Sequence, residues 1–346
     1  MRLPMRDAAA RPLIIDRGLR MAACALIGWA SASAVPAVAA DPVGLVTILD
    51  GNAFIYRGSG RGQPVEGMQV QSGDILDVGE GGFLRIEMPD KTDLQLGPRS
   101  DVMVTSSVGK GKPDRWIYVL RGWVKLASDR RDKGVPGMEV RSPLVDVPPN
   151  QAIVVLHIVP EEAQVFSQVG EARVFDAHVP ASPGTLLRQG DLFRRKAGGW
   201  KGATDPSAMQ AFVGGIPRAF RDSLPPLAGR FNPKEEKQPG PAPDFVYADV
   251  EPWLKAELPF RRQFVQRWRA KADNAAFRAA LVSNLAAHPE WDPILFPEKY
   301  RPKPDAEQLD KLLRRPGTPD APPPRPSPVT GTTGPGGVPP AGGRQP

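Results

Sequence analysis

The sequence predicts a mainly β chain: a roll, solenoid or sandwich of short strands, then a small α-helical domain and a disordered Pro/Gly tail. Three observations carry this. Residues 68–104 alternate apolar and polar positions at period two and are cut by turn formers at Gly73-Asp74, Gly79 to Gly82, Pro89-Asp90 and Gly97-Pro98. Residues 249–288 switch to apolar positions four apart. From Pro316 onward the chain is mostly Pro and Gly with Thr, Ser and Ala, too poor in apolar side chains to offset the entropy of ordering.

Residues 1–40 predict a secretory leader. Arg11, Arg17 and Arg20 precede a short apolar core at Met21 to Ala30, and Val38-Ala39-Ala40 supplies small residues for cleavage after Ala40. The apolar run is short of the roughly 18–20 residues that a membrane span needs. An uncleaved leader would instead hold the protein at the membrane. Cys24, the only cysteine, lies inside this segment, so a processed chain has neither disulfides nor a thiol nucleophile. The expected location is the periplasm or the exterior.

The formal charge is +7, and the leader holds five Arg against two Asp, leaving about +4 elsewhere. That mild, scattered excess suits anionic envelope polymers and does not announce nucleic-acid binding.

The β region is expected over 41–196. Leu45 to Leu49 and Ala53 to Arg57 flank Asp50-Gly51, a hairpin signal. Gly58 to Gly62 reads as a hairpin loop, because no helix follows it as in a phosphate-cradling loop. Leu84, Ile86 and Met88 face one way and Phe83, Arg85 and Glu87 the other, which predicts one dry face. Trp116 to Leu120 is apolar on both faces, and Arg121-Gly122 reads as a turn into Trp123 to Leu126. Further strand signals are Met138 to Arg141, Leu144 to Val147, Ala152 to Ile158, Gln164 to Gln168, Ala172 to Phe175 and Thr185 to Phe193. Ser72-Gly73-Asp74-Ile75 and Gln189-Gly190-Asp191-Leu192 form an internal echo.

Residues 197–246 are rich in Pro and Gly and read as an irregular linker, with a short helix within Ala203 to Ala219. In 247–300, Asp249 is placed to cap a helix over Val250 to Leu258, and Pro259 to open the next. Phe260, Phe264 and Trp268, then Phe277, Leu281 and Leu285, form apolar stripes that His288-Pro289 ends, and Pro293 to Phe296 reads as an extended arm. The tail occupies 301–346.

Catalytic and metal signatures are weak. His157, His178 and His288 have no other ligand at metal spacing; His157 reads as a strand residue and His288 as a partner for helix-end carbonyls. Asp74, Asp90 and Asp191 fall in turns, where Asp bonds nearby backbone. Glu161-Glu162 would point to opposite faces of a strand. No cofactor is expected. Candidate partner-binding residues are Trp116 and Trp123, and Arg261, Arg262 and Arg267 from a basic helical cluster whose alternative reading is a solvated face.

The segments SGDILDVGEGGFLRIEMPD, LQLGPRSDVMV, VLRGWVKL, MEVRSP, VFSQVGEARV and LLRQGDLF, in that order, resemble the periplasmic FecR-type domain of bacterial iron-dicitrate signal regulators over roughly residues 44–196. The chain departs from that pattern at Lys91-Thr92, where Gly-Ser is usual, and near Asn150-Gln151, where Gly-Thr is common. Its leader is too short for the cytoplasmic anti-sigma region of those regulators. The resemblance implies a signalling or partner-binding domain wholly outside the cytoplasm, and the function expected of the chain is non-enzymatic envelope sensing or scaffolding through protein binding. The alternative is a cell-wall or polysaccharide-binding module; the weakest is an enzyme with its site in 198–300.

Overall fold

The computed structural model describes residues 42–107, 114–128, 137–179, 183–199, 201–232 and 234–301. The leader with Cys24, Trp200 and the Pro/Gly tail lie outside the described residues.

The strands are β1 (Pro42–Asp50), β2 (Ala53–Arg57), β3 (Gly60–Gln63), β4 (Gln69–Gln71), β5 (Ile75–Val78), β6 (Phe83–Glu87), β7 (Asp93–Leu96), β8 (Ser100–Ser107), β9 (Asp114–Ala127), β10 (Glu139–Arg141), β11 (Val145–Val147), β12 (Ile153–Val159), β13 (Glu162–Val169), β14 (Ala172–Asp176), β15 (Thr185–Leu187), β16 (Leu192–Lys196), β17 (Ala203–Thr204) and β18 (Gly240–Pro241). Hydrogen bonding arranges them in two sheets. Sheet A runs β4-β1-β6-β7-β9-β12-β13-β16-β17. Sheet B runs β18-β3-β2-β5-β8-β9-β10-β11-β14-β15. Among the described residues every strand pairing is antiparallel except β9 with β10. The fold is thus mainly β, as the period-two pattern predicts, and its pairing is mainly antiparallel.

The core lies between the sheets. Val46, Leu84, Ile86, Leu94 and Val124 on sheet A share one buried cluster with Ile55, Leu76, Val102, Ile117 and Val119 on sheet B. Each such side chain contributes about 1.5–3 kcal/mol by leaving water.

Strand β9 belongs to both sheets. Its first half pairs with β8 and β10, and its second half with β7 and β12. The bend falls at Gly122, where φ is +105° and a Cβ would lie 2.3 Å from the Ser100 Cα. Arg121-Gly122 is therefore a kink within one strand, not the expected turn between two. Asp50-Gly51 also departs from expectation. β1 pairs with β4 and β6 while β2 pairs with β3 and β5, so this dipeptide is a corner between sheets and not a hairpin. The echo is real: Gly73 and Gly190 both have positive φ, and Asp74 and Asp191 each accept the amide three residues earlier, from Gln71 and Arg188. The second turn splits the expected strand 185–193 into β15 and β16.

The middle of each outer face is covered. On sheet A, Phe83, Trp123, Val155 and Phe166 pack beneath Phe212, Ile216 and Phe220 from helix α1 (Met209–Gly215) and the turn after it. Arg85 donates to the carbonyls of Pro225 (2.8 Å) and Leu224 (3.3 Å), and Glu87 accepts the amides of Leu227 (2.7 Å) and Ala228 (3.0 Å). The predicted polar face of β6 is accordingly covered, with Arg85 2% exposed and Glu87 half-buried. The segment 203–230 acts as a strap on sheet A.

On sheet B the cover is helical: α2 (Tyr247–Leu254), α3 (Leu258–Arg267) and α4 (Ala275–Ser283). Asp249 sits in the first turn of α2, not before it, and its carboxylate accepts the Val246 amide at 2.8 Å. Pro259 lies in the first turn of α3, as its fixed φ predicts. Residues Asp292–Leu295 form a helical turn in place of an extended arm. The stripes point inward: Phe245, Val250, Trp253, Phe264 and Trp268 share a cluster with Tyr56, Ile75, Met103 and Tyr118 of sheet B.

Candidate functional site

Two outward rows on sheet B bring its polar chemistry together at the seam with the helical layer. Across β2, β5, β8 and β9, the registered neighbours Phe54, Asp77, Asp101 and Arg121 form the first row. Arg61 of β3 stacks on the Phe54 ring at 3.6 Å and reaches Asp249 of α2 at 3.3 Å. Arg121 pairs with Asp101 through its Nε. Asp101 is 4% exposed. Burial, then the neighbouring Asp77 charge, pushes its carboxyl up to about 6. Burial likewise raises Asp77, against the opposing pull of Arg121 and Arg61. Tyr56 lies under this row, its hydroxyl raised by burial and by Asp77.

The second group lies at the other side of the same seam. Asp146 of β11 is half-buried and is raised to about 6 by burial and then by Glu139, with Glu257 adding in the same sense and Arg141 opposing. Glu257 stands at the N-cap position of α3 without a side-chain capping bond, and its carboxylate accepts the Tyr118 hydroxyl. Arg141 bonds Glu139 at 2.8 Å and lies over the Trp116 ring at 5.0 Å.

Beyond the helices, sheet B continues without cover from the described residues. Asp146 registers with Phe175 on β14, and Arg173 with Leu186 on β15, the last strand. Arg173 is exposed and Leu186 is 43% exposed. Phe175 is half-buried and belongs to none of the three hydrophobic clusters.

The sequence-predicted site residues are dispersed. Trp116 packs edge-on against Phe260 at the seam, with ring centroids 6.0 Å apart. Trp123 lies on the opposite sheet, stacked on His157 at 4.1 Å. It borders a cavity of about 450 Å³ with Glu80, Pro98, Arg99, Arg121 and Pro160. Burial lowers the His157 pKa, which keeps this ring neutral near pH 7. Arg261 is held internally by Glu290 (3.0 Å) and the Ala287 carbonyl (3.0 Å). Arg262 is exposed. Arg267 donates to three carbonyls of sheet B and its turns: Tyr56 (2.6 Å), Gly73 (2.7 Å) and Gly58 (2.8 Å).

His288 is fully buried, and its Nε2 meets the Tyr247 hydroxyl at 3.0 Å in place of the expected helix-end carbonyls. Asp74 is occupied by Arg57 (2.7 Å) and the Gln71 amide (2.7 Å). Sequence reasoning passed over Asp77, Asp101 and Asp146. For Asp77 and Asp101 the available signal was an acidic residue at an outward strand position whose registered neighbour is also acidic, whereas Asp146 registers with Arg141 and Phe175; register is not legible without the fold. Among the described residues no three His, Cys, Asp or Glu side chains gather as a metal site, and no helix is long and apolar enough to cross a membrane.

No model of a known protein family matches the chain, and no curated protein does. Three solved chains match. Two are crystal structures, at 2.50 and 1.65 Å, of a candidate anti-sigma factor from Parabacteroides distasonis ATCC 8503. Both share 18% identity with this chain at a TM-score of 0.33, covering 41% of this chain and 64% and 65% of theirs. The chain therefore spans just under two thirds of those proteins, and a likeness at this level carries no statement about activity.

Proposed function

We propose that this is a non-enzymatic, exported recognition protein of the bacterial envelope, acting in sensing or as a scaffold by binding another protein. One observation carries the reading. The middle of each sheet is covered by the chain's own C-terminal half, whereas the β14–β15 end of sheet B carries Arg173, Phe175 and Leu186 with no cover from the helices. An end strand presents unpaired backbone groups, and flanking apolar side chains give a partner strand something to bury. The charged side chains covered elsewhere, such as Arg85 and Glu87, hold the layers together and do not converge on a reaction centre.

The test is a photo-crosslinking amino acid placed at position 186 and, as control, at exposed Val282 on α4. A discrete light-dependent adduct from position 186 alone, lost on Phe175→Ser, supports the reading. Equal labelling from both positions sinks it. Export is checked separately, by N-terminal sequencing of the mature protein for a start at Asp41.

A second reading rests on the Trp123 cavity, whose aromatic wall and two Arg side chains suit an acidic cell-wall glycan. Saturable sacculus binding that Trp123→Ala abolishes would favour it over protein recognition.

A further inference from the structure

The seam between sheet B and the helical layer holds more negative than positive charge at both of its ends. In the first row, Asp77 and Asp101 are direct cross-strand neighbours on the same face, and Asp249 of α2 approaches from the helical side. Among the described residues the cations facing this group are Arg61 and Arg121, each already paired with one of these carboxylates. Tyr56 closes the row from below. In the second group, Asp146 faces Glu139 on its own sheet and Glu257 on α3, and Arg141 is the cation beside them. Arg141 is further shared with Asp114, 3.6 Å away. The Tyr118 hydroxyl bonds Glu257 and so ties the sheet to the α3 cap.

At each end, then, carboxylates of the sheet face a carboxylate of the helical layer across a partly dry joint. Like charges placed this way cannot all ionise without raising the free energy of the docked state. We infer that this seam is a proton-linked joint: one proton held by the Asp77/Asp101 pair and one by Asp146 keep the helical layer seated on sheet B, and their loss loosens it. The raised pKa values of Asp101 and Asp146 are in keeping with this. The sign follows from linkage. A carboxyl raised in the docked state and ordinary once water reaches it favours docking at low pH, and that advantage disappears as pH climbs through the raised value. The contribution of these carboxyls to docking is therefore largest in acid and smallest above pH 7, whatever the open end of sheet B binds.

One group works in the opposite sense. His288 lies in the interior of the helical layer and its pKa is lowered by burial. If opening exposes it, acid favours opening. The decisive quantity is therefore a ratio in which His288 cancels.

Hydrogen exchange of the full protein, followed at the amides of α2 and α3 and corrected for the pH dependence of intrinsic exchange, gives that ratio. Protection in Asp101→Asn and in Asp146→Asn is compared with wild type at pH 5 and pH 7.5. The variant-to-wild-type ratio should rise about tenfold between these pH values for each group removed, the most for buried Asp101 and less for Asp146, which water reaches. A ratio flat with pH overturns the proposal. If a variant does not fold, direct NMR titration of the wild-type Asp101 and Asp146 carboxyls decides: apparent values near 6 uphold the joint, and values near 4 overturn it.

Discussion

Arg267→Met offers the sharpest test of how the helical layer is held. The guanidinium of Arg267 reaches three carbonyls on sheet B and its loops, at 2.6, 2.7 and 2.8 Å. Methionine keeps most of the apolar stem, so the substitution removes the polar contacts together with the placement of the guanidinium over the Trp268 (5.7 Å) and Phe264 (6.0 Å) rings. A hydrogen bond to a charged group contributes about 1.5–3 kcal/mol. Three would sum to more than about 4 kcal/mol, but two corrections reduce that. Burial disfavours the cation itself, as its lowered pKa records. The Gly58 and Gly73 carbonyls also lie in turns, where water can replace the donor. About 2–4 kcal/mol remains. Arg267→Lys should recover only part, since one ammonium cannot span the fork of acceptors that a guanidinium reaches. The assay is denaturant unfolding followed by tryptophan fluorescence and by far-ultraviolet circular dichroism. Trp253, Trp268 and Trp291 are all buried in this layer, so the fluorescence transition should move to lower denaturant, ahead of the dichroism. A change below about 0.5 kcal/mol, within the range of ordinary surface substitutions, would refute the clamp.

Other expectations are simpler. Gly122→Ala should destabilise by more than about 3 kcal/mol, because the new Cβ meets Ser100 backbone in a conformation L side chains rarely adopt; a thermal midpoint within a few degrees of wild type would contradict this. Glu87→Gln should loosen the strap, seen as faster proteolysis within 218–230 with little change in the helical layer; cleavage as slow as in wild type counts against the bonds from the Leu227 and Ala228 amides as the strap's anchor. His288 is held below its ordinary pKa by burial, so its contribution to stability is present above about pH 6.5 and is lost as pH falls towards its lowered folded value. His288→Gln should flatten that acid-side loss, and an unchanged pH profile would show that the ring does not titrate on unfolding.

The sequence made the inner faces of the sheets readable and left the outer faces obscure. Leu84, Ile86, Leu94 and Leu96 alternate because one side of each strand meets the other sheet, and period two reports that directly. Arg85 and Glu87 look like a solvent face in sequence. They are covered because a strap about 140 residues downstream supplies matched carbonyls and amides. Asp50-Gly51 and Arg121-Gly122 illustrate a second limit. A Gly with positive φ marks a change of direction, but whether the chain reverses, turns a corner or merely kinks depends on which strands its neighbours find. The helical stripes at Phe264 and Trp268 were legible from spacing alone. The duty of Arg267 was not, because its acceptors are backbone atoms roughly 200 positions away and carry no side-chain signature.

The passage of β9 through both sheets removes any line along which the β region could come apart. A nick or a new terminus at Gly122 would strip a central rung from each sheet simultaneously, so halves divided there have no intact edge on which to reassemble. A new terminus at the tip of the β12–β13 hairpin, Pro160-Glu161, breaks no ladder. Circular permutants opened at that hairpin should tolerate the rearrangement that the bend forbids.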